Sequence, residues 1–243
     1  MQNLRQAYFL TQLLWKQERA DLRLAVFNSL VLPLTLFYYG TRLHAGNPSE
    51  LAQFMAGAVT MSLAMAAMSQ VGITIVSDRF SGRLTTLVYV SRSRLAYFVA
   101  RNVIAVVQGV LVTVGSLIVL GWIGVAQIAP VALGTAALAG ALGAMAIGGL
   151  GAVIGIRARS AEGGEAALAI SAIALSLVTP VFYSVSDSAA PVQAIAMLSP
   201  LTSVSSVMAS LLRAEPPATG ALIGMIVSAL VWTALAYRKF EWK

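Results

Sequence analysis

Six stretches of this chain, residues 24–43, 51–76, 98–123, 130–156, 166–185 and 218–237, are almost wholly apolar. Each has at least the ~20 residues that a helix needs to cross the hydrocarbon of a bilayer. A segment in lipid must satisfy its backbone groups internally, and helices do this one segment at a time. The expected fold class is therefore an all-α integral membrane protein with six transmembrane helices. With 58% of its 243 residues hydrophobic and 10% charged, the chain has no polar stretch long enough to fold by itself, so residues 1–243 are expected to form one domain.

The basic residues set the orientation. With six spans, fourteen of the sixteen fall on one side, leaving Arg42 and Arg213 on the other. The uncharged stretch 192–212 is also long enough to span, but Pro200 and several serines and threonines divide it. If it crossed, the division of basic residues would fall to twelve against four. The positive-inside rule favours six spans with both termini cytoplasmic, and residues 191–212 as two short re-entrant helices in the outer leaflet, buried against protein. The net charge of +7 is then a topology signal and not a nucleic-acid signal. Arginine outnumbers lysine thirteen to three in an Ala- and Gly-rich chain, a composition that suits a GC-rich bacterial genome and so a bacterial cytoplasmic (inner) membrane.

Residues 1–21 have no continuous apolar core and no small-residue cleavage site, so no signal peptide is expected. At helical spacing Arg5, Gln12, Lys16 and Arg19 gather on one side and Leu4, Ala7, Leu10 and Leu14 on the other, with Tyr8 and Trp15 near the boundary. That pattern predicts an interfacial helix. The alternative, a helix that begins the first span, would carry Lys16, Glu18, Arg19, Asp21 and Arg23 toward hydrocarbon.

Between the second and third stretches lie Ser77-Asp78-Arg79-Phe80-Ser81-Gly82-Arg83-Leu84-Thr85-Thr86-Leu87 and then Ser91-Arg92-Ser93-Arg94, with Arg101 following. As a helix, residues 77–87 would place Phe80, Leu84, Leu87 and Val88 on one apolar face flanked by Arg79, Arg83 and Thr86. Such a strip can lie under headgroups, dock into a groove on a partner protein, or be an ordinary positive loop. Met61, Met65 and Met68 fall on one face of the second stretch beside Ser69. A thioether stripe adapts to varied apolar ligands and serves equally well in helix packing. In the fourth stretch Gly140, Ala144, Gly148 and Ala152 recur every four residues, followed by Gly151 and Gly155. Small residues so spaced let helices approach closely, within a subunit or across a dimer.

The inventory excludes several chemistries. The single histidine, His44, lies in a loop, and cysteine is absent, which leaves no Ser/His dyad and no thiol or cysteine metal site in the membrane. Asp21, Asp78 and Asp187 sit at span ends, and no acid lies mid-span, where proton and sodium relays place theirs. No lysine follows a glycine, so there is no G-x-x-x-x-G-K-[ST] phosphate loop. Energy for any transport must come from another subunit.

The chain resembles the permease subunit of type-2 ATP-binding-cassette (ABC) exporters. In architecture the resemblance covers nearly the whole chain; locally it is carried by Asp78-Arg79-x-Ser81-Gly82-x-Leu84, Leu87 and Ser93-Arg94-Leu95. These compare with a family pattern of Asp/Glu-Arg-Glu-Ser-Gly-Thr-Leu-Glu, a Leu, and Pro-x-Ser-Arg. Phe80, Arg83, Thr85 and Ser91 depart from it and make this loop more basic and apolar. The resemblance implies an interfacial N-terminal helix and a cytoplasmic coupling helix that docks on an ATPase through Asp78, Arg79, Phe80, Gly82, Arg83, Leu84 and Leu87. It makes Glu162 and Glu165 a lesser contact, and lines a substrate path with Met61, Met65, Met68, Ser69, Leu175, Val178 and Phe182. It further implies two cytosolic ATPase subunits holding ATP and Mg, a second permease copy (identical or a close paralogue), and no cofactor on this chain. With no charge in the path, the expected activity is export of a hydrophobic or amphipathic substrate, drug, antibiotic or lipid-like. A permease for a lipid-linked glycan and a non-transporting membrane scaffold or assembly factor are the alternatives.

Overall fold

The computed structural model describes residues 2–44, 46–91, 94–124, 129–178, 189–191, 196 and 199–239, and all the regular structure in them is helical. Helix α1 runs Gln2–Leu43. Helix α2, Pro48–Phe80, contains one π-helical turn at Met68–Ile73. Then come α3, Arg83–Ser91; α4, Arg94–Trp122; α5, Pro130–Ile156; α6, Ala161–Val178; α7, Pro200–Leu212; and α8, Thr219–Lys239. Among the described residues, α2, α4, α5 and α8 are long and apolar enough to cross a membrane. The last part of the stretch expected at 166–185 lies outside the described residues.

The interfacial helix and the first span, expected as two elements, form one continuous helix. Residues 2–32 contain neither glycine nor proline to interrupt it. At 1.5 Å per residue its 42 residues reach about 63 Å, roughly twice the hydrocarbon thickness. A helix of that length can span with its apolar C-terminal half and still keep residues 16–23 out of lipid. Ala7, Leu10 and Leu14 are buried in one cluster with Ile75, Leu87, Ala96, Tyr97, Phe98 and Ala100, which fixes the N-terminal half against the bundle.

Helix α5 is the axis of the packing, and its small residues are used inside the subunit. A Cβ on Gly140 would come within 2.5 Å of the Gly109 carbonyl oxygen on α4, and one on Gly155 within 2.8 Å of the Gly72 oxygen on α2. Gly148 faces Val71, and Gly149 lies against the backbone of Trp232 and Thr233 on α8. Only glycine permits such backbone contact in lipid, where dispersion and short polar contacts replace the hydrophobic effect as the force between helices. Thr113 Oγ1 adds a bond across the α4–α5 contact, donating to Ala136 O at 2.9 Å.

Helix α7 is short and buried. Ser199 caps its first turn, accepting from Leu201 N at 3.3 Å, and Pro200 at the first helical position needs no donor there. Val204 packs on Gly143, halfway along α5, and Arg213 donates to Ser49 O at 3.3 Å beside the start of α2. The helix thus rises from mid-depth to the end that holds His44, and its 13 residues, about 20 Å, are too few to cross. Most of the companion helix expected over 191–198 lies outside the described residues.

Candidate functional site

The loop joining α2 to α4 is where charge meets the apolar bundle. Residues 77–87 do not form one helix. Helix α2 ends as Ser81 N donates to Ser77 O at 2.9 Å and Gly82 N to Arg79 O at 3.3 Å. Gly82 then takes φ +74°, which favours glycine, and the chain restarts as α3. The break divides the expected apolar face. Phe80 stays at the tip of α2 and is exposed, whereas Leu84 and Leu87 turn inward onto Tyr97 and Phe98.

Asp78 is the second correction. Expected at the surface, it is only 3% exposed. Its Oδ2 accepts a hydrogen bond from Tyr97 Oη at 2.7 Å and another from Arg101 Nη2. Arg83 Nε lies 3.6 Å from the other carboxylate oxygen. Arg101 is itself 1% exposed, and its Nε donates to Tyr97 Oη at 3.3 Å. A charge pair this deep persists only when each partner is matched and hydrogen-bonded. One carboxylate therefore fastens the end of α2 to α4 and draws in the first residue of α3.

Arg79, next in sequence, points the other way. Its Nη1 donates to Ile156 O at 2.7 Å and Ala158 O at 3.2 Å, at the end of α5. A guanidinium here satisfies carbonyls without an intrahelical partner and complements the negative end of the helix dipole. Asp78 and Arg79 together join the ends of α2, α4 and α5. The surface left for a partner consists of Phe80, Ser81, Gly82, Thr85, Thr86 and Tyr89, all exposed. Tyr89, at 86% exposure the most prominent of them, was missed in the sequence. Carrying the helical spacing past Leu87 to Ser91 places it one turn beyond Thr85, outside the inward Leu84/Leu87 face.

Glu162 and Glu165 lie at the start of α6, both exposed. Ser160 accepts from Gly163 N at 3.1 Å, and the two carboxylates sit at the positive end of the helix dipole. A Cβ on Gly164 would meet Val76 at 2.8 Å, so this turn rests directly on the end of α2. The two charged loops are thus neighbours.

The expected substrate path is divided. Met65 and Ser69 are exposed on one side of α2, and Met61 is half-buried. Met68 is 2% exposed and packs toward Gly151, and Leu175 is half-buried against the core. Val178 ends α6 with its side chain outside the described residues, as is the whole of Phe182. Ile170 and Ile173, exposed on α6, were not expected.

These features define a class: a multi-pass helical membrane protein whose charged inter-helix loops are fastened into the bundle from within and exposed on their outer side. The family model for ABC-2 family transporter protein matches residues 6–238, and the chain belongs to that family. It is a permease subunit of an ABC transporter, and membership implies an ATPase subunit as its partner. No match was found among curated proteins.

Proposed function

We propose that the chain is an exporter permease that pairs with a second permease copy, binds two cytosolic ATPases, and moves a hydrophobic or amphipathic molecule outward by alternating access. In this reading six helices cross the membrane, the N- and C-termini are cytoplasmic, and ATP and Mg stay on the partner. The observation that carries it is the α2–α3 loop. Its outward face carries Phe80 and Tyr89, while Asp78 and Arg79 tie its base to α4 and α5. A push on the loop is thereby delivered to three helices at once, as a power stroke supplied by another subunit requires. Uncharged residues on the exposed side of α2, Met65 and Ser69, favour apolar cargo over ions.

The test is to purify the tagged chain gently from its native membrane, identify the ATPase that accompanies it, and measure hydrolysis. Because both aromatics are exposed, Phe80→Ala and Tyr89→Ala should leave the fold intact. Truncating aromatic anchors at an interface costs about 2 kcal/mol, so each should weaken ATPase binding roughly thirtyfold. A chain that purifies without an ATPase, or whose ATPase ignores both changes, would turn the reading toward a membrane scaffold. The six-span count is checked separately. The chain has no cysteine, so Glu215→Cys should react with an impermeant thiol reagent from outside the cell, and Glu162→Cys only after the membrane is opened.

A further inference from the structure

We propose that the exposed face of the N-terminal half of α1 binds the headgroup of an anionic phospholipid. Tyr8, Thr11, Gln12, Trp15 and Lys16 line one cavity of about 350 Å³. They recur at i, i+3, i+4, i+7 and i+8, so one helix face supplies two aromatic rings, two neutral polar groups and an ammonium. Thr11 Oγ1 donates to Ala7 O at 2.8 Å, so Tyr8, Gln12 and Lys16 are the groups left to donate. Gln12 Nε2 donates to Tyr8 Oη at 2.7 Å, leaving the tyrosine proton and the second amide hydrogen for a ligand. Lys16 is exposed and has no ion pair among the described residues. No carboxylate lines the cavity, and that lining suits a phosphodiester.

Depth identifies the source of that phosphate. The reverse face of the same helix, Ala7, Leu10 and Leu14, is buried with Leu87, Tyr97 and Phe98, at the level where Asp78 and Arg101 mark the end of the apolar bundle. That is the membrane–water boundary, where tryptophan and tyrosine rings concentrate and lysine reaches for headgroups. Phe9, 55% exposed beside the cavity, offers acyl chains a contact that a soluble phosphate would not use. The inference rests on the membrane class of the protein and not on its cargo or its ATPase, so it can fail separately from the exporter reading.

The experiment is native mass spectrometry of the purified full chain titrated with phosphatidylglycerol, phosphatidylethanolamine or glycerol 3-phosphate. Phosphatidylglycerol should be retained more tightly than phosphatidylethanolamine. Lys16→Gln should weaken it about fivefold, the effect of one cation near an anionic surface, and abolish the preference. Lys16→Arg should keep it. Equal retention of the two lipids, or a preference that survives Lys16→Gln, would overturn the proposal. So would competition by glycerol 3-phosphate, which would reassign the face to a soluble phosphate. Displacement of phosphatidylglycerol by the ATPase, with Lys16→Gln weakening the ATPase instead of the lipid, would give the face to that subunit.

Discussion

Replacing Arg101 by leucine should destabilise the folded permease by about 3–5 kcal/mol, because it leaves Asp78 buried and without its principal cation. Arg83 does not compensate, being 3.6 Å from the other carboxylate oxygen with a 40% exposed side chain whose field water screens. The result would appear as a large fall in thermal unfolding temperature, followed by tryptophan fluorescence in detergent. The double variant Asp78→Leu/Arg101→Leu should recover much of the loss, since removing both charges also removes the penalty for burying either. If the single change proves as mild as a surface substitution, or the double is worse than the sum of the singles, the buried pair does not hold the loop as described. Transport should respond differently from stability. The double variant should fold yet lose coupling, because the end of α2 is then no longer tied to α4.

A valine at Gly140 should also be strongly destabilising, by about the lower end of that range. Its Cβ would meet the Thr113 hydroxyl and lie 2.5 Å from the Gly109 carbonyl oxygen, and that backbone cannot swing aside as the end of a flexible side chain would. Helices α4 and α5 would have to part, losing the Thr113–Ala136 bond with the contact. Overpacking of this kind typically costs 1–3 kcal/mol, and here the obstacle is backbone, so about 3 kcal/mol is expected. Gly134→Ala on the same helix is the control. Nothing lies within 4 Å of its Cβ, and alanine should be neutral or stabilising by up to about 1 kcal/mol. Comparable stability and monodispersity of the two variants would show that the α4–α5 approach is looser than drawn.

How much of this could be read beforehand depended on the range of the signal. Helix α5 was expected over 130–156 and is found there, and α2, α4 and α8 differ from expectation by one to four residues at each end. Apolar length is a local property and a strong one. The break within residues 77–87 was also local. Ser81-Gly82 is a turn signal, but apolar periodicity across it was given more weight than the glycine. The Asp78–Arg101 pair was not legible in the same way, because its members stand 23 residues apart on different helices and meet only once the faces of α2 and α4 are known. A hint existed in Arg101, which follows Tyr97 by one helical turn and lies inside an apolar run. A charge so placed requires a buried partner. Counting it as a loop arginine concealed that.

The π-turn at Met68–Ile73 gives α2 a property that no other described span shares. A bond from residue i to i+5 closes over one residue more than the ordinary i to i+4, so the turn absorbs a surplus residue without rotating the rest of the helix. In genetic terms it is the one position in these helices where the reading of faces survives a change in length. Losing a single codon here would tighten the turn into ordinary helix and leave Met65 and Asp78 facing as they do now. The same loss in α4 or α5 would rotate everything beyond it by about 100°, turning packed glycines toward lipid.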